Sequence, residues 1–204
     1  MRQFWLILGL LILAGVAGRA VVSRRRQLRA LRRLARERRL NFSPEDLIDV
    51  RDRYHNLELI RQGHSRHACN VLHGPTDAGL LTVFSYSYDL GFGPRRASAY
   101  WWLAVVETAG VHEHWRAGPA NSAPPQDETQ IDRFNIRADH EETLQKLIDA
   151  GIERVFQASP ADCHWEVRGP LVAVAAPFGS VPEVPRQLLT TACDLARILA
   201  PATS

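Results

Sequence analysis

Four side chains able to bind a metal or act as nucleophiles crowd into ten residues: His64, His67, Cys69 and His73. Imidazole nitrogen and thiolate sulfur are good zinc ligands. On a strand over 67–73, period-two geometry sets His67, Cys69 and His73 on one face, where residues two apart can share an ion. His112 and His114, or Cys163 and His164, would complete such a site. Against a metal, the chain has no Cys-x-x-Cys, no His-Glu-x-x-His and no spaced Cys/His pairs. The expectation is therefore that no metal is bound, with His67, Cys69 and His73 the candidates if one were.

The same residues frame an enzyme reading, in which Cys69 or Cys163 is a nucleophile and a neighbouring histidine its base. Cys163 and His164 are adjacent, so on a strand they point to opposite faces, which is poor geometry for proton transfer. No Gly-x-Ser-x-Gly elbow is present. The Gly91-Phe92-Gly93-Pro94 run leads into a strand and lacks the helix that a phosphate loop needs. Its glycines suit a hairpin instead. No catalytic residue is assigned and no cofactor is expected. Trp101, Trp102, Trp115, Trp165, Tyr86, Tyr88 and Tyr100 form a heavy aromatic load. They read first as core and cross-strand pairs, and second as a recognition surface.

The elements that must position these residues follow from pattern. Ser43-Pro44-Glu45-Asp46 has the form of a helix start, and a helix over 44–61 would bury Leu47, Ile48, Val50 or Arg51, Tyr54 and Leu57. Strands are expected over 67–73, 80–88, 97–108 and 111–116, with short turns that imply an antiparallel meander. Tyr100–Val106 is apolar on both faces and belongs at the centre of the sheet. Residues 117–130 are a linker-like segment, either a loop or the seam between two halves. Beyond it, strands are expected over 131–137, 152–157, 163–168 and 171–176. A capping box of Asp139 and Glu142 starts a helix ending at Gly151, and a last helix runs from Pro185 to Pro201.

The chain begins with an apolar run, Phe4 to Gly18, of fifteen uncharged residues. Continued to Val22 it is long enough, at ~1.5 Å per residue, to cross a bilayer core of roughly 30 Å. Residues 1–40 carry eleven Arg against Glu37, a net of +10, while the remaining 164 carry −7. Arginine excess marks the cytoplasmic flank, which predicts N-terminus out and the rest of the chain in the cytoplasm of a bacterium, against the inner membrane. A cleaved signal peptide, with an exported envelope protein behind it, is the alternative. Three cysteines without framework spacing agree with a reducing compartment.

Residues 24–40 form a basic helix with Leu28, Leu31, Leu34 and Ala35 as its stripe. Arg24, Arg25, Arg26, Arg29, Arg32, Arg33 and Arg36 are its candidates for binding anionic headgroups. The leucines would lie on lipid, pack on the domain, or pair with a second copy. The acidic remainder argues against a nucleic-acid partner.

One motif carries a resemblance. An Asn-x-Leu-x-Gly strand (Asn70, Leu72, Gly74), a Phe-x-Tyr-x-Tyr strand (Phe84, Tyr86, Tyr88) and a Gly-x-Gly turn (Gly91, Gly93) follow one another. This pattern resembles bacterial single-pass membrane-anchored proteins of uncharacterised activity, and implies an anchor-plus-domain layout without a reaction. The expected class is α+β: an N-terminal transmembrane helix (1–22), a basic juxtamembrane helix (23–41), and a soluble domain (42–204) with a largely antiparallel sheet and packed helices. The function expected is a membrane-tethered binding or adaptor module for a protein or lipid partner. A tethered enzyme using the His/Cys cluster is its rival.

Overall fold

A computed structural model of the chain describes residues 19, 22–120, 128–179 and 182–200. Its frame is an antiparallel seven-stranded sheet in the order β1-β2-β3-β4-β6-β5, with β7 also paired to β4. The strands are β1 (Asn41–Glu45), β2 (His64–Thr76), β3 (Gly79–Leu90), β4 (Ala97–Pro119), β5 (Thr129–Ile131), β6 (Phe134–Ala138) and β7 (His164–Pro177). Helices are α1 (residues 22–37), α2 (Val50–Arg53), α3 (Glu58–Arg61), α4 (Glu141–Asp149), α5 (Ile152–Ala158) and α6 (Glu183–Leu199). The α+β class, the antiparallel sheet and the packed helices are as expected. Among the described residues no helix is long and apolar enough to cross a membrane. The expected anchor over 4–22 lies almost wholly outside the described residues.

The sheet buries two different faces. The helix-rich face packs Trp102, Trp115, Trp165, Phe134 and Phe156 under α1, α5 and α6. Helix α6 turns Leu188, Leu189, Ala192, Leu195 and Ala196 onto the sheet at helical spacing. Leu31, Leu34 and Ala35 of α1 are buried in this same core. Of the three fates open to those leucines, packing on the domain is the one realised. The opposite face, the tyrosine face, packs Tyr54, Phe84, Tyr86 and Tyr88 with Val50, Leu57 and Ile60 beneath α2 and α3.

Several expected elements differ. The helix over 44–61 is instead β1 followed by two single turns, and Leu47 is exposed. Pro44 has no N–H to give and sits on an edge strand, where the outward side of the ladder needs none. The effective helix cap comes later, where the Asp46 carboxylate accepts the Val50 N–H at 3.0 Å. Residues 152–157, expected as a strand, are helix α5. Ile152, Val155 and Phe156 are buried at helical spacing, and Gly151 takes the left-handed φ of 82° that separates α4 from α5. The Asp139 capping box does not form, since His140 is the cap residue of α4 and Asp139 instead lies 3.4 Å from His114.

Strands expected separately over 97–108 and 111–116 are one strand, as are 163–168 and 171–176. Gly110 and Gly169 fall in register irregularities of the β4–β7 ladder, not in turns. Of the segment 117–130, residues 117–119 belong to β4 and residues 121–127 lie outside the described residues.

Candidate ligand-binding cleft

Strand β2 decides the fate of the His/Cys cluster. Asn70 adopts φ 54°, and the β2–β3 register shifts between Cys69 and Leu72. That bulge inserts one residue and reverses the side on which later residues point. His67 and Cys69 therefore face the helix-rich side with Ser87 and Ser85, while His73 pairs with Thr82 on the tyrosine face. The expectation that His67, Cys69 and His73 share one face is corrected: the bulge divides them. Among the described residues no group of three or more His, Cys, Asp or Glu is placed to hold a metal ion.

His73 is used elsewhere. Arg53 grips the Glu107 carboxylate through two nitrogens at 2.7 and 3.1 Å. The Tyr54 hydroxyl donates to Glu107 at 2.9 Å, so its oxygen accepts from Thr82 at 2.7 Å. Thr82 then has no proton left for His73, and the His73 Nδ1–H donates to it at 2.8 Å. This chain ties α2 to three strands. Burial pushes the Tyr54 hydroxyl well above its ordinary range and His73 below its own.

Two of the three cysteines, Cys163 and Cys193, are buried and poor nucleophiles. Burial pushes the Cys163 thiol up to about 12 and raises Cys193 as well. Cys69, half-buried, rests 3.1 Å from the Ser85 hydroxyl. His164 lies on the tyrosine face, opposite the buried Cys163, with its pKa lowered by burial.

His67 and Cys69 instead join a cleft of about 1000 Å³ between α1 and the sheet. Ser23, Arg24, Gln27, Leu28 and Leu31 of α1 form one wall. Asp46, Asp49 and Arg51 form a second, and β2 with Trp102 and Phe178 forms the floor. Phe178 lies flat on Trp102, centroids 5.4 Å apart at 13°. The Trp102 indole N–H is buried without a hydrogen-bond partner. Charged groups of both signs stand beside a smaller apolar surface of Leu28, Leu31, Trp102 and Phe178, an arrangement suited to an amphipathic molecule.

Of the basic residues expected at a membrane surface, Arg24, Arg25, Arg26, Arg29, Arg32, Arg33 and Arg36 are all exposed along α1. Arg24 also borders the cleft, and Arg32 lies 6.0 Å over the Phe42 ring. Helix α1 runs along the sheet with a defined direction. Its first turns meet β2 near His67 and Cys69, and Leu40, just past its end, packs against Gly74.

A feature missed in the sequence is Glu166, 1% exposed on β7. Its two oxygens accept the Glu58 and Leu59 N–H groups at 2.8 and 2.9 Å, so a distant strand supplies the cap of α3. Burial raises its pKa, those two bonds opposing. The signal was present in Trp165-Glu166-Val167, an acid between large apolar residues.

No family model and no curated protein matches the sequence. Among solved structures, the fold is similar to that of the mycobacterial trehalose monomycolate transport factor A, TtfA, with a TM-score of 0.63 at 15% identity. The likeness covers 87% of this chain and 98% of that one, and at this identity it establishes a shared fold.

Proposed function

We propose that this chain is a single-pass protein of a bacterial inner membrane whose α+β domain faces the cytoplasm. There it acts as a tethered binding module that takes an amphipathic ligand into the cleft under α1. The place and lining of that cleft carry the reading. It opens beside Ser23 and Arg24, the turn of α1 nearest the uncharged run of residues 4–18. Leu28, Leu31, Trp102 and Phe178 would take the apolar part of the ligand, and Arg24, Arg51, Asp46 and Asp49 its polar part. The fold shared with TtfA supports the reading, since that protein's name pairs a transport role with a sugar bearing a fatty acyl group. The exposed arginines of α1 would hold the cleft at anionic headgroups, each contributing about 1 kcal/mol near the surface.

The test is retention of lipid by the full chain purified in mild detergent. Organic extraction and mass spectrometry should find an amphiphile, and Leu28→Trp, which fills the cleft, should lose most of it while unfolding at the wild-type temperature. An empty wild-type protein, or equal retention by the folded variant, overturns the reading. Orientation is tested separately with Val111→Cys in a chain carrying Cys69→Ser, because position 111 is 83% exposed, Cys163 and Cys193 are buried, and the half-buried Cys69 is removed. A membrane-impermeant maleimide should label it only in opened cells. Labelling in intact cells would favour the exported form.

A further inference from the structure

We infer that the β3–β4 hairpin tip, residues 90–96, is a second membrane contact, with the Phe92 ring entering the headgroup layer of an anionic bilayer. The inference rests on the anchored reading above and adds a surface which that reading does not require.

Phe92 is 79% exposed and Leu90 48%, whereas Trp102, Phe84 and Phe134 within the sheet are fully buried. The tip is not a loose loop. Gly91 and Gly93 take left-handed φ values of 69° and 59°, and the turn closes with Arg95 N–H to Phe92 O and Arg96 N–H to Gly93 O. The Phe92 ring lies flat on His64, centroids 4.4 Å apart, and His64 Nε2 is 2.7 Å from the Gly91 carbonyl. An apolar ring is thus held outward by a rigid turn. Arg96 flanks it, paired with Asp89, and exposed Arg95 stands beside it.

The end of the domain at which the tip sits identifies the occupant. Ser23 of α1 lines the cleft together with His67 of β2, and the tip lies beyond His64, which pairs with Asp89. Three further residues of strand, at ~3.3 Å each, carry it roughly 10 Å past His67. That is the end at which helix α1 begins, at residue 22. Tyr100 and Phe178, joined by a backbone hydrogen bond of 2.9 Å, are exposed toward the same end. Aromatic and aliphatic side chains beside arginines match the interface of an anionic bilayer, where rings settle at headgroup depth and guanidinium groups meet phosphate.

The experiment replaces Phe92 with the photoreactive analogue p-benzoylphenylalanine in the full chain, with Val111 replaced likewise as the control. Each is reconstituted in vesicles of phosphatidylcholine with about one-third phosphatidylglycerol, a surface anionic enough to attract basic residues. Both positions are exposed, and at 92 the analogue keeps the phenyl ring that lies on His64. The expected result is flotation of both proteins with the vesicles and several-fold more phospholipid adduct at 92 than at 111. Flotation with equal or absent adduct at 92 overturns the inference and leaves the anchored reading standing. The same holds if position 92 is captured by a protein when the experiment is repeated in native membranes. Failure to float overturns both.

Discussion

The two faces of the one sheet are held by different means. The helix-rich face is closed by area: three tryptophans, Phe134 and Phe156 lie under α1, α5 and α6. On it, the indole N–H groups of Trp102 and Trp165 have no partner. The tyrosine face is closed by two one-turn helices too short to hold themselves. Polar staples secure it: Glu107 takes Arg53 and Tyr54, Tyr86 donates to the Ile60 carbonyl at 2.7 Å, and Glu166 caps α3. Where apolar area is plentiful, buried polar groups are left over. Where it is scarce, polar contacts take over the closure, with His114 Nε2 and Asn135 Oδ1 left without a hydrogen-bond partner on that side.

The largest effect expected from this contrast is at Trp165. Trp165→Ala should cost about 3–5 kcal/mol in denaturant unfolding, through lost burial and the cavity left beside Phe134 and Phe156. Glu166→Ala should cost less, about 1–3 kcal/mol, because it strips two backbone N–H groups of their acceptor while removing little packing. Hydrogen exchange should then quicken at Glu58 and Leu59 first. If the order were reversed, the tyrosine face would be the principal hold on the fold.

The smallest effect is on pH dependence, and it belongs mainly to the tyrosine face. Burial lowers the pKa values of His73 and His164 there, and of His112 on β4. The unfolded chain therefore takes up these protons first. Stability is fully present above the ordinary histidine value of about 6.5 and is lost as pH falls through it toward the lowered values. Glu166, with a raised pKa, works in the opposite sense. It holds its proton in the folded state through a window where the unfolded chain has released it, so its contribution improves on acidification. His164→Gln should flatten the loss of stability between neutral and mildly acid pH, while Glu166→Gln should steepen it. Thermal unfolding across that range checks both.

Much of the architecture was legible where period and length agreed. The alternation of β3, the doubly apolar centre of β4 and the 3–4 spacing of α6 each allow one placement. The segment 44–61 imitates one helix because Val50, Tyr54, Leu57 and Ile60 do keep helical spacing, but on two separate turns. Ile152–Ala158 offered too few residues for periodicity to separate helix from strand. The cleft was not legible, since Arg24, Asp46, Cys69, Trp102 and Phe178 come from five separated stretches that only the fold brings together. The His/Cys cluster failed for a local reason: strict alternation cannot reveal that Asn70 adds a residue to the strand.

The paired irregularity in β4 and β7 bears on how such a chain can change over time. Trp102, Ala104 and Val106 face the helix-rich core before it, and Trp115 and Ala117 face that core after it; in β7, Trp165 and Val167 change parity with Val172 and Val174 in the same way. The two strands switch phase together, with His112 opposite Gly169. A one-residue deletion near 110 in β4 alone would turn Trp115 out of the core, and the same deletion near 169 in β7 alone would turn Trp165 out. A matched pair would turn both tryptophans out, so neither place should tolerate a one-residue change, and the length of the ladder is held at two stretches some sixty residues apart in the sequence.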